Sequence, residues 1–287
     1  MKRMIIACTA LMVSVITIAA PERPYFDKKK DLLLAQFDSK PDPDDIHSQA
    51  ALGSMMCHKD LRGVKVFAVS GAIGEQGGTF IDSEELFDAA FGKHWTAAND
   101  DWDDAVEDIV ERVYHVLKRG GKVWVPEAGQ SDITADWLRE ILEEFPAELV
   151  KNNVVVVQHS NWNEEQTNDA DLAYVKKMTN YFSIDDGNAP MNDNADDRGV
   201  YATPEYRDRD AKWLADAKTS KKRKARKLWT LADQIIDSYY PEGFKEEWSY
   251  LTTDGVDYSD CCEVWWILNI GERADTHAKF WARYVVK

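Results

Sequence analysis

The sequence is poor in cysteine, with four in 287 residues. That is too few for a disulfide scaffold. Cys8 lies in the amino-terminal apolar run, which leaves Cys57, Cys261 and Cys262. One bridge from Cys57 is open, with one thiol over. No CxxC spacing and no paired histidines accompany them, which argues against an ordinary zinc site. Positive charge is also scarce: 35 Lys and Arg against 51 Asp and Glu give a net charge of -16. A surface of that sign repels phosphate backbones and argues against nucleic acid as a partner. The one basic run, Lys221–Lys227, reads as the solvated face of a helix. Glycine-rich phosphate fingerprints are absent as well. Gly71–Gly78 has neither GxGxxG nor Gly-Lys-Ser/Thr and reads as a flexible loop.

Long apolar runs are missing except at the amino terminus. Lys2 and Arg3 precede an apolar stretch from Met4 to Ala19, and small residues at Ala19 and Ala20 end it. This order predicts a cleaved export signal over residues 1–20, followed by one domain over 21–287. The expectation is a secreted or periplasmic protein that is free of the membrane after cleavage. The oligomeric state stays open.

After the signal, strand-like and helix-like segments alternate. Strands are expected at Leu32–Phe37, Val64–Val69, Lys122–Val125 and Val154–Val157. Helices are expected from Asp44 onward, over about 103–118, around 133–144, through 208–239 and over 261–269. Residues 185–198 read as a polar loop. Repeated β-loop-α units imply an α/β fold: a single doubly wound, mostly parallel sheet with helices on both faces. In such sheets ligands collect at the carboxyl ends of the strands.

The densest chemistry sits at the first of those ends. Phe37-Asp-Ser-Lys-Pro-Asp-Pro-Asp-Asp45 places Asp38, Asp42, Asp44 and Asp45 within eight residues. Pro41 and Pro43 stiffen the turn that gathers them. Four carboxylates so close repel unless a cation holds them, and hard oxygen donors suit calcium or magnesium. A helix cap accounts for one of the four. The offsets of an EF-hand loop are absent. An aspartyl phosphatase would place a second Asp where this chain has Lys40.

The strand followed by Asp38-x-x-x-Asp42-Pro-Asp44-Asp45 resembles the amino-terminal signature of the nucleoside hydrolase superfamily. It is most similar to the divergent branch with a DPDD motif. Val64–Gly71 resembles the second strand and its loop. Lys122–Ile133, with Ala128-Gly-Gln-Ser-Asp132, is similar to the strand and loop that lend a backbone carbonyl to the metal. Asp260 resembles the late Asp ligand. The resemblance implies calcium-dependent hydrolysis of an N-ribosyl or related glycosyl bond in a small nucleoside or glycoside. Carried over by position, Asp38, Asp45, Asp132 and Asp260 form the metal group, Asp42 is the candidate base and Asp44 contacts sugar or metal. Three positions depart from the pattern: Lys40, Ala72 in place of a sugar-binding Asn, and Ser259 in place of a His. They bear on sugar preference and on protonation of the leaving group.

Gln158–Glu164 follows an apolar strand, so Asn161, Trp162, Asn163 and Glu164 are candidates for holding hydroxyls and stacking on a ring. Asn188, in an Asp-Gly-Asn triplet, joins them. His47 and His159 are candidate general acids, although a structural role is the commoner one for a single histidine. Eleven Trp residues also admit a rival reading, a non-catalytic, metal-stabilised carbohydrate-binding protein. Trp213, Trp229, Trp248, Trp265 and Trp266 fall in helical stretches, where core packing is their usual work.

Overall fold

The computed structural model describes residues 23–40, 43–74, 77, 80–188, 201–239 and 255–286. Six strands form one parallel sheet: β1 (Leu32–Phe37), β2 (Lys65–Ser70), β3 (Trp95–Ala97), β4 (Val123–Ala128), β5 (Val154–His159) and β6 (Asn180–Ile184). Their order is β3-β2-β1-β4-β5-β6. The chain therefore reverses its direction of sheet growth between β1 and β4.

Strand periodicity explains the two layers of helices. Successive residues of a strand face opposite sides. Leu33, Ala35 and Phe37 enter one core with Val66, Ala68, Trp124, Val155 and Val157. Leu32 and Leu34 enter the other with Phe67, Val69, Val123, Val125, Val154 and Val156. Such strands are apolar on both faces, which is why they read as continuous runs. The first core is covered by α1 (Asp44–Met56), α2 (Glu84–Phe91) and later helices. The second is covered by α3 (Trp102–Lys118) and α4 (Asp132–Glu144). The doubly wound α/β architecture is thus present. Helix α3 starts where Asp101 accepts from Asp104 N at 3.1 Å, an N-cap bond that satisfies one orphan donor.

Several elements lie where no regular pattern marked them. These are α2, β3, α5 (Ala147–Asn153), α6 (Trp162–Gln166), α7 (Asp169–Met178) and β6. The helix expected over 208–239 is two: α8 (Lys212–Lys218) and α9 (Arg223–Tyr239), preceded by the short strand β7 (Arg207–Asp208). The break falls at Ser220, whose hydroxyl donates to Val285 O at 2.5 Å. Strand β7 pairs antiparallel with β8 (Val256–Asp257), which leads into α10 (Cys261–Ile267). In α9, Ala225, Leu228 and Trp229 are buried, whereas Arg223, Lys224, Arg226 and Lys227 are exposed.

An ionic clasp fixes the C-terminal segment. Buried Asp60 accepts from Arg283 Nε at 2.5 Å and Nη2 at 2.8 Å, and from Tyr284 Oη at 2.7 Å. Breaking one side of such a pair typically costs about 3–5 kcal/mol. Cys57, Cys261 and Cys262 are free thiols, so no bridge forms from Cys57. Among the described residues, no helix is long and apolar enough to cross a membrane. The signal segment, Trp248 and most of the 185–198 loop lie outside the described residues.

Candidate active site

The direction reversal between β1 and β4 opens a crevice at the carboxyl ends of these strands, where ligands of open α/β sheets bind. A pocket of about 330 Å³ lies there. Six aspartates line it: Asp38, Asp44, Asp45, Asp186, Asp257 and Asp260. His159 and Arg207 are its basic residues.

The first strand delivers Asp38. Its Oδ1 accepts from Lys40 N and its Oδ2 from Gln130 Nε2, both at 2.9 Å. Ser39 takes φ +54°, a left-handed conformation that costs a residue with a Cβ about 1 kcal/mol or more. That kink lets Ser39 N donate to Asp45 Oδ2 at 2.6 Å, folding the first turn of α1 back over the strand end. Asp44 Oδ1 accepts from Asp45 N at 2.8 Å. The ammonium of Lys40 donates to the carbonyl of Gly77. Gly129 lets β4 approach, since a Cβ there would lie 2.9 Å from Ala72 O and 3.1 Å from Asp38 N.

Burial raises the pKa of Asp38, and nearby Asp260 adds to the rise. Asp45 is pushed well above the usual carboxylate range by burial and then by Asp38, Asp260 and Asp44. Asp45 Oδ1 and Asp260 Oδ2 are buried without a hydrogen-bond partner.

The fifth strand delivers His159. Its Nε2 lies 3.0 Å from Asp260 Oδ1, and its Nδ1 accepts from Gly187 N at 3.2 Å. With Nδ1 accepting, Nε2 carries the hydrogen and donates to Asp260. A second proton, on Nδ1, would exchange the Gly187 bond for attraction to Asp186 Oδ1 at 3.6 Å. Burial opposes that charge, but Asp186 and Asp260 outweigh it and hold His159 well above the ordinary histidine range. His159 N donates to the buried Glu263 Oε1 at 3.0 Å. Ser160, at φ +64°, then turns the chain into α6. Trp162 is 50% exposed at the rim. Asn163 Oδ1 accepts from Gln130 Nε2 at 3.2 Å.

The last segment supplies Asp257 and Asp260. Burial pushes Asp257 up to about 7. With its amide oriented to donate, Asn188 Nδ2 lies 2.7 and 2.8 Å from the Asp257 oxygens and 2.6 Å from Ser259 Oγ.

No family model, curated protein or solved structure matches this chain. The site therefore stands on its own geometry.

That geometry brings together Asp38, Asp44, Asp45, Asp260, Trp162, Asn163 and Asn188. Asp42 lies outside the described residues. Asp132 does not line the pocket; it packs against Gly74 and accepts from Asn168 N at 3.4 Å. Asn161 precedes α6 off the lining, and Glu164 turns to Tyr181 Oη at 2.9 Å and Lys176 Nζ at 2.7 Å. His47 is buried beneath the site, where its Nδ1 accepts from Asp257 N at 3.1 Å. Burial lowers it to about 4, so it is a neutral support for β8. Arg207 had no distinguishing local pattern, Asp257 only a place before the late helix, and Asp186 only the Asp-Gly-Asn triplet. The position of Asp186 just after a strand could also have marked it.

Among the described residues, no three His, Cys, Asp or Glu side chains converge as a ready-made metal-holding group. The donor set nonetheless has the chemistry a hard cation needs: all-oxygen, anionic and mutually repelling. Two of its buried oxygens lack any donor. Asp38, Asp45 and Asp260 fit that role best.

Proposed function

We propose that this chain hydrolyses an N-ribosyl or related glycosyl bond of a small nucleoside or glycoside in the acidic pocket, with a calcium-type cation held by Asp38, Asp45 and Asp260. The observation that carries the reading is that buried Asp38 and Asp45, from one turn, and buried Asp260, from the last segment, line one pocket, with one oxygen each of Asp45 and Asp260 left without a donor. A hard cation bound there polarises oxygen ligands and lowers the pKa of a bound water.

The chain's own residues divide the remaining work. Asp44, half-buried in the pocket lining, contacts sugar or metal in this reading, and the role of base stays with Asp42 or passes to Asp44. Glycosyl cleavage builds positive charge on the sugar ring. A pocket with six aspartates stabilises that charge more than the neutral ground state. In this reading Asn163 holds hydroxyls and Trp162, half-exposed in the lining, stacks on a ring. Asn188, held by Asp257, shapes the wall between them. The half-exposed Trp162 also favours a second reading, carbohydrate binding without turnover on the same metal-stabilised pocket.

Calcium titration by calorimetry, wild type beside Asp45→Ala, tests the first step. Saturable binding that the variant loses supports the cation reading, and a panel of nucleosides and aryl glycosides then tests turnover. Absence of binding in the wild type sinks the cation-dependent mechanism. Binding of sugar without turnover selects the second reading.

A further inference from the structure

Acid outweighs base in this chain as a whole, yet a groove that shares no lining residue with the aspartate pocket reverses the balance. The turn after α1, the approach to α9 and the C-terminal segment meet around a shallow groove of about 460 Å³. His58, Lys222, Arg273, Lys279, Ala282 and Arg283 line it, with no carboxylate among them. Of the chain neighbours of lining residues, Lys59, Lys221 and Arg223 are exposed, against one exposed acid, Glu272. We propose that this groove is a binding site for a phosphate group.

Two distant stretches of sequence supply the cations and a third supplies His58, so the cluster is a product of the fold rather than of one basic run. Two carboxylates, buried Asp60 and part-exposed Asp275, order these side chains without cancelling their charge. Asp60 takes two donors of Arg283, and Arg273 Nη1 lies 3.4 Å from it. Asp275 takes Lys279 at 2.5 Å. Four permanent cations against two carboxylates leave a positive excess. A phosphate monoester carries about -1.5 to -2, which matches that excess, and guanidinium and ammonium donors together suit its oxygens.

The donors facing the groove are not exhausted. Lys222 Nζ donates to Arg283 O at 2.6 Å, and an ammonium has three protons to give. His58 Nδ1 accepts from Asp60 N at 3.2 Å, so in the neutral ring Nε2 carries the hydrogen. The field agrees. Lys222 is lowered by burial and then by Arg283. His58 is lowered by burial and by Arg283, Lys222 and Lys59 against the pull of Asp60, beside the ring of Tyr284. The acidic remainder of the surface does not forbid binding, because charges beyond about 8 Å are largely screened at physiological salt.

A soluble phosphoester and a lipid headgroup present the same chemistry. The test uses pyrophosphate, followed by calorimetry and by the His58 ring signals in NMR, beside sedimentation with vesicles of phosphatidylglycerol or of phosphatidylcholine. Saturable pyrophosphate binding that raises the His58 pKa and weakens about tenfold in Lys222→Gln/Arg273→Gln supports the site. Selective sedimentation with phosphatidylglycerol that the variant loses supports it with a headgroup as the source. Should the double variant melt early, Lys279→Gln, at a half-exposed position, replaces it. No response to pyrophosphate together with equal sedimentation on both lipids overturns the proposal. So does undiminished binding by a folded variant.

Discussion

His159 and Asp260 stand 101 positions apart in the chain, yet Nε2 of one lies 3.0 Å from Oδ1 of the other. Both are buried, and the pair joins the end of β5 to the start of α10. His159→Ala leaves buried Asp260 and half-buried Asp186 without that partner. A loss of about 3 kcal/mol in urea unfolding is expected. His159→Gln, which retains a donor, should recover part of it. Equal stability of the alanine variant and wild type would remove the pair from the architecture of the site.

Asp45 and its neighbours predict opposite responses with and without a cation. The Asp45→Asn amide oxygen still accepts from Ser39 N, while the repulsion from Asp38, Asp260 and Asp44 disappears. Because Asp45 is held well above the usual carboxylate range, its charge costs stability as pH rises: in chelator the variant should melt close to wild type at acid pH and above it at alkaline pH. Calcium should then raise the wild-type melting temperature, by about 2.7 kcal/mol of stability at a hundred times Kd, and leave the variant unmoved. A variant that melts lower in chelator would show that the carboxylates do not repel one another.

His47 sets one component of acid stability. Its folded pKa is about 4, below the ~6.5 of an unfolded histidine. Between those values the unfolded chain binds the extra proton, so stability falls as pH drops through the window. The contribution is about 3 kcal/mol. Glu127, buried and raised to about 7, acts with the opposite sign in the same range, so the total slope is a mixture. Subtracting the pH–stability curve of His47→Gln from that of wild type isolates the histidine. The difference should grow from pH 4 to pH 6.5 and level off above.

The sequence determined the parts of this protein whose signal is local. β1, β2, β4 and β5 were legible because strands buried on both faces must be apolar along their length. Helices α3 and α4 were legible because each buries one stripe. Edge strands β3 and β6 carry half-buried, mixed residues, and α8 and α9 share one polar stretch whose break depends on Ser220 reaching Val285. Asp38, Asp44 and Asp45 could be read from their spacing, because four carboxylates in one turn are anomalous whatever the fold.

Tertiary structure alone decided which distant groups meet. Strand order places the ends of β1, β4 and β5 together, and only then do Asp260, Asp186 and Asp257 share a pocket with Asp38 and Asp45. It also separated Asp132 and Glu164 from the pocket, and assembled a basic groove in an acidic chain. The physical reason is range. Propensity and periodicity act over a few residues, whereas burial, repulsion and the approach of Nε2 to a carboxylate depend on distances that chain order does not encode.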